Sequence, residues 1–72
     1  MLNSRGILEA ILFSAPDPVS SEKIREAMDM DVVAFQFLVE DYARGLDAAD
    51  RGVMLRTVAD GLQLVTRSEA HE

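Results

Sequence analysis

Apolar residues recur at helical spacing in three stretches of this chain and then switch to alternation. In the first stretch Ile7, Leu8, Ile11 and Leu12 line one face, which predicts a helix from about Ser4 to Ser14. Leu2, Gly6, Ala10 and Phe13 fall on a different side. This helix is therefore apolar on two faces, and it either sits deep in a core or sets one side against another chain. Ala15-Pro16-Asp17-Pro18 stops it, because each proline disfavours helical backbone in the residue before it. Val19 leads into Ser20, a good N-cap for a short second helix with Glu22 in its first turn and Ile24, Ala27 and Met28 as its apolar side. That helix is expected to fray near Asp29. Met30-Asp31 reads as the turn and N-cap of a third helix, roughly Val32 to Leu46. Its stripe of Phe35, Leu38, Val39, Tyr42 and Leu46 is the strongest periodicity in the chain. Gly45 lies near its end, and residues 46–52 are expected to form a loop.

From Val53 the period changes to two. Val53–Ala59 and Leu62–Arg67 predict strands joined by Asp60-Gly61, an Asp-Gly pair being a strong signal for a two-residue hairpin turn. With that turn Ala59 faces Leu62, Thr57 faces Leu64 and Leu55 faces Thr66. Val53, Leu55, Leu62 and Leu64 then share the side that covers the helices. The other side carries Met54, Arg56, Val58, Gln63, Val65 and Arg67, more apolar than a solvated ribbon requires. Ser68–Glu72 reads as a polar tail. Three helices followed by a two-stranded ribbon predict a mainly α fold with a small β-hairpin, a winged helix-turn-helix, as one domain over residues 1–72 with an ordered core of about 4–67.

Size and charge change what that fold is expected to do. At 72 residues, the chain buries only ~60% of its unfolded surface, so its stability should be ~4–10 kcal/mol. Covering leftover apolar surface, for instance with a second subunit, would matter to such a margin. A composition 49% apolar and 28% charged is globular. There is no apolar run long enough to span a bilayer, no secretory signal and no cysteine, which together point to a cytoplasmic protein. Residues 1–50 hold four basic side chains (Arg5, Lys23, Arg25, Arg44) against ten acidic ones, whereas residues 51–72 are balanced. A helical part this anionic is repelled by a phosphate backbone. Arg51, Arg56 and Arg67 make only the ribbon locally basic, and a solvated strand face accounts for them better than a phosphate site.

In a helix-turn-helix the second helix of the motif enters the major groove. Here its positions away from the core stripe are Val33, Ala34, Phe37, Glu40, Asp41 and Arg44. Two carboxylates and an aromatic ring with one arginine are poor readers of a polyanion. Val33 and Phe37, four apart, share the outward face instead and suggest a protein contact, with Met54, Val58 and Val65 on the ribbon as a possible continuation. Leu2 and Phe13 on the first helix are the second candidate. Catalysis has no support: His71 is the only histidine and lies in the tail, and the serines have no base placed beside them. Glu40 and Asp41 point about 100° apart on a helix. The four glycines are scattered and form no phosphate cradle. Neither a metal nor a cofactor is expected.

Two segments resemble a known family. Ile7-Leu8-Glu9-Ala10-Ile11-Leu12-Phe13-Ser14-Ala15 with Pro18-Val19-Ser20 is similar to the opening of bacterial segregation and condensation protein B, and Gly52–Arg67 looks like its wing, including the closing Thr66-Arg67. One departure is Leu62, where relatives often carry an aromatic residue. The resemblance covers nearly the whole chain. It implies the first of two tandem winged helices in an accessory, non-enzymatic subunit. That subunit homodimerises, meets a kleisin and an SMC ATPase through the full-length protein, and serves chromosome condensation and segregation in the cytoplasm at the nucleoid. It implies no sequence-specific nucleic-acid or membrane partner and no catalytic residue. The reading from a different class is the DNA-binding domain of a transcription regulator.

Overall fold

A computed structural model describes residues 3–49 and 51–70, with the side chains of Glu69 and Ala70 left aside. The elements run α1 (Ser4–Phe13), β1 (Val19–Ser20), α2 (Ser21–Ala27), α3 (Val32–Ala48), β2 (Val53–Val58), β3 (Gly61–Thr66) and α4 (Arg67–Ala70). The three longer helices each begin on a side-chain cap. Asn3 accepts from the Gly6 amide at 2.8 Å, Ser20 from Lys23 at 3.3 Å and Asp31 from Ala34 at 2.8 Å. Each such cap satisfies an amide that the helix leaves without an internal partner, which stabilises by about 0.5–2 kcal/mol. The turn between α2 and α3 is closed by Asp29 in left-handed backbone at φ 54° and by Arg25 Nη1 donating to the Met30 carbonyl at 3.0 Å.

One core holds the molecule together. Leu8 and Leu12 from α1, Ile24 from α2, Phe35, Leu38, Tyr42 and Leu46 from α3 and Leu62 from β3 form a single buried cluster, with Val53, Leu55 and Leu64 packed against it. The stripe predicted for α3 thus faces inward, and on α1 Leu8 and Leu12 are buried with Ile11 packed against the core, but Ile7 of the expected stripe is exposed. On α2, Ile24 is buried and Met28 packs on the core, but Ala27 is exposed.

Four expectations are corrected. First, α3 continues through Gly45 to Ala48, so the loop begins only at Ala49. Second, the sheet has three strands in the order β1-β3-β2, because Val19 and Ser20 pair with Leu62 and Gly61. Third, the hairpin pairs Val58 with Gly61, Thr57 with Leu62 and Leu55 with Leu64, so Ala59 and Asp60 occupy the turn. This register differs by two residues from the expected one. An even slip leaves every side chain on its expected face and changes only its cross-strand partner. The reason lies at Gly61, which is buried against β1: a Cβ there would meet the Val19 carbonyl oxygen at 3.1 Å and Pro18 Cβ at 3.3 Å. Close approach of a third strand, not positive φ, is what calls for glycine at this position, and the positive φ falls on Ala59 at 46°. Fourth, Arg67–Ala70 is a helical turn where a polar tail was expected; His71 and Glu72 lie outside the described residues.

Candidate functional site

The polar groups of the helical face mostly hold elements together. The Tyr42 hydroxyl donates to Glu9 Oε2 at 2.8 Å, and Arg51 lies 3.9 Å from the same oxygen, so α1, α3 and the approach to β2 meet at one carboxylate. Burial, reinforced by the hydrogen bond and the charge of Glu9, raises the Tyr42 phenol well above the usual tyrosine range. Arg5 pairs with Asp41 at 3.4 Å across the surface of α1 and α3. Both partners are about half exposed, so this pair contributes little.

The basic character of the ribbon dissolves in the same way. Arg67 Nη2 donates to the Leu46 carbonyl at 3.2 Å and to Asp47 Oδ1 at 2.9 Å, while its Nε donates to the Arg51 carbonyl. It sits at the end of α3, where unpaired carbonyls and the negative end of the helix dipole favour a cation. With Arg51 beside Glu9, Arg56 is the ribbon arginine without an ion pair among the described residues. A phosphate site built on three arginines is therefore not what this face presents. Arg67 closes the fold, a role that its sequence neighbourhood did not signal.

Exposed apolar surface is concentrated on two helices. The large apolar side chains left open among the described residues are Ile7 and Phe13 on α1 and Val32, Val33 and Phe37 on α3. Phe37 is 66% exposed, Val33 60% and Phe13 79%, so three of the expected contact residues stand in solvent. The ribbon does not match them. Met54 and Val58 are half-buried, and Val65, opposite Met54 on the central strand, is only 7% exposed. Val65 is thus corrected from a surface residue to a buried one, and the ribbon adds no large open apolar side chain to the α3 ridge. Leu2 lies outside the described residues. Beside α3 a groove between α2, α3 and the hairpin is lined by the apolar Phe35, Val39 and Leu62 together with the charged Glu22, Arg25 and Glu40. On α1 a shallow hollow is lined by Gly6, Glu9, Ala10, Phe13 and Ser14. No described helix is long and apolar enough to cross a membrane.

Comparison with known proteins is in keeping with this architecture. The chain superposes on ScpB from Mycobacterium tuberculosis with a TM-score of 0.82 at 24% identity, covering 99% of this chain and 46% of that one. It superposes on an ScpB N-terminal domain, a dimer complexed with ScpA peptide, with a TM-score of 0.83 at 23% identity, covering 94% of this chain and 85% of that one. At those identities the likeness is one of fold. Among sequence relatives, segregation and condensation protein B of Symbiobacterium thermophilum is 36% identical over 66 residues, covering 92% of this chain and 30% of the relative. That of Syntrophotalea carbinolica is 38% identical over 68 residues, covering 94% and 34%. The chain spans about a third of the length of the curated relatives it matches. Residues 6–72 match the family described as segregation and condensation complex subunit ScpB, and the chain belongs to that family.

Proposed function

We propose that this chain is the first of two winged helices in a larger, non-catalytic subunit. That subunit dimerises and acts as a scaffold, with a kleisin and an SMC ATPase, in chromosome condensation and segregation in the cytoplasm. The observation that carries the reading is the outward ridge of α3. The helix that would read DNA in this fold offers Val33 and Phe37 to solvent beside Glu40 and Asp41, on a chain of net charge −6. Exposed apolar side chains among carboxylates suit a protein partner and oppose a phosphate backbone. Family membership supports the reading, as does the related ScpB N-terminal domain that forms a dimer with an ScpA peptide. Glu9, Tyr42, Arg51 and Arg67 are each engaged in joining elements. Phe13, Val33 and Phe37 are the candidate contacts, with the half-buried Met54 and Val58 in a lesser role.

The test is the molar mass in solution across a dilution series, run beside retardation of a duplex DNA. A concentration-dependent dimer with no retardation at physiological salt is the expected result. A monomer that holds duplex, with affinity falling steeply as salt rises, would replace this reading with the transcription-regulator one.

A further inference from the structure

Asp60-Gly61 is a dipeptide whose own backbone is open to chemical rearrangement, because glycine has no Cβ to keep its nitrogen from the neighbouring carboxyl. We propose that the fold makes this rearrangement conditional. Asp60-Gly61 is a modification site that the native sheet holds closed, and that opens whenever β1 and β2 release it. The inference stands apart from the dimer reading above.

The reaction needs only water. The Gly61 amide nitrogen gives up its proton and bonds to Asp60 Cγ, a C–O bond of the carboxyl breaks, and water leaves a cyclic imide. Water then adds to one of the two ring carbonyls. Attack at the main-chain carbonyl breaks its bond to the Gly61 nitrogen. The chain now runs through Cγ and has gained a backbone carbon, at unchanged mass and with a carboxylate restored. The product is an isoaspartate.

The side chain presents no obstacle to the first step. Asp60 is exposed, and its carboxyl has no hydrogen bond or ion pair among the described residues. The obstacle is the peptide unit that joins the two residues. Its carbonyl, that of Asp60, accepts from the Ser21 amide at 2.8 Å. Its N–H, that of Gly61, is turned toward β2, because Val58 and Gly61 close a two-residue turn and such a pair exchanges its N–H and C=O bonds. The Arg67 amide bonded to the Gly52 carbonyl, further along the same ladder, fits this alternation. To form the imide, the unit must rotate about the Cα–C bond of Asp60 and break both hydrogen bonds. Gly61 is also buried, with the Val19 carbonyl and Pro18 set close against it. One peptide plane is thus held by β2 on one side and by the junction of β1 and α2 on the other. The product does not fit this frame, since an added backbone carbon shifts Gly61 out of register with Val58. A chain that has opened and rearranged therefore returns less stable than it left.

Trypsin isolates the test site, because Thr57–Arg67 contains Asp60 and no other Asp or Asn. Isoaspartate in that peptide separates by chromatography at equal mass. The whole chain is incubated at neutral pH, folded in buffer or unfolded in guanidinium chloride, and the free peptide in both solvents gives the unhindered rate. The folded chain should isomerise at least about tenfold more slowly than the peptide, and the unfolded chain at the peptide's rate. Ser21→Pro removes the amide that holds the Asp60 carbonyl, at a first helical position where proline is accepted. With its fold checked by circular dichroism, this variant should isomerise at least about threefold faster than the folded parent. A folded parent that matches the free peptide, or a folded Ser21→Pro no faster than the parent, would overturn the proposal.

Discussion

Ala59 and Gly61 flank Asp60, and their backbones are the reverse of what their side chains suggest. Alanine in the left-handed region costs about 1–2 kcal/mol, and Ala59 sits there at φ 46°. Ala59→Gly should therefore stabilise the domain by about 0.5–1 kcal/mol, after allowing for the freer unfolded chain. Gly61→Ala should destabilise it by about 1 kcal/mol, since the new methyl group presses on the β1 backbone. Urea midpoints at unchanged slope read both, and a destabilising Ala59→Gly would move the turn back to Asp60-Gly61. Tyr42 supplies a second test. Its phenol is raised in the folded state by burial and by Glu9. The protonated form therefore favours folding, with its full contribution below the unfolded value of about 10 and loss as pH rises above it. As the single tyrosine of the chain, Tyr42 reports its own ionisation by ultraviolet absorbance. That signal should appear together with base unfolding and not before it, and Tyr42→Phe should flatten the fall of stability above pH 10.

Among the elements, α3 is the one on which everything else is assembled, and its two ends are secured differently. Asp31 caps its start within a few residues, a local device readable from an Asx residue just before an apolar period. Its end is held by Arg67, some twenty residues later, through the Leu46 carbonyl and the Asp47 carboxylate. Because α4 begins at Arg67 and the Arg67 amide donates to the Gly52 carbonyl at 3.0 Å, the same residue closes both ends of the hairpin onto the helix. Arg67→Ala should cost about 1–2 kcal/mol and lower Tm on the order of 5–10 °C. Arg67→Lys should recover only part of this, since a point ammonium does not reproduce a planar fork that reaches three acceptors. Equal stability of the lysine variant and the parent would show that charge alone matters there.

As a whole the molecule is a small acidic body with apolar openings on two of its helices. If two such bodies of net charge −6 pair, raising salt from about 50 to 500 mM should tighten the dimer, because screening weakens the repulsion between their net charges. A dimer that loosens with salt would instead indicate ion pairs across the contact. The helices were legible in advance because a 3.6-residue apolar stripe is repeated many times over: Leu8, Leu12, Phe35, Leu38, Tyr42 and Leu46 all lie where their spacing puts them. The two faces of the hairpin were legible for the same reason, as alternation survives an even slip in register. Composition and charge likewise set the anionic character of the helical half. Only the folded chain decided the rest. β1 is two residues long and carries no period, so its pairing with Leu62 and Gly61 exists only once the hairpin is beside it. That pairing in turn moved the turn from Asp60-Gly61 to Ala59-Asp60, against the local preference of an Asp-Gly dipeptide. Val65 became buried on the central strand of the sheet, and Arg67 became structural through contacts with residues some twenty positions away. Periodicity is a property of neighbours in sequence and determines which side faces inward; register, closure and what remains exposed are properties of neighbours in space.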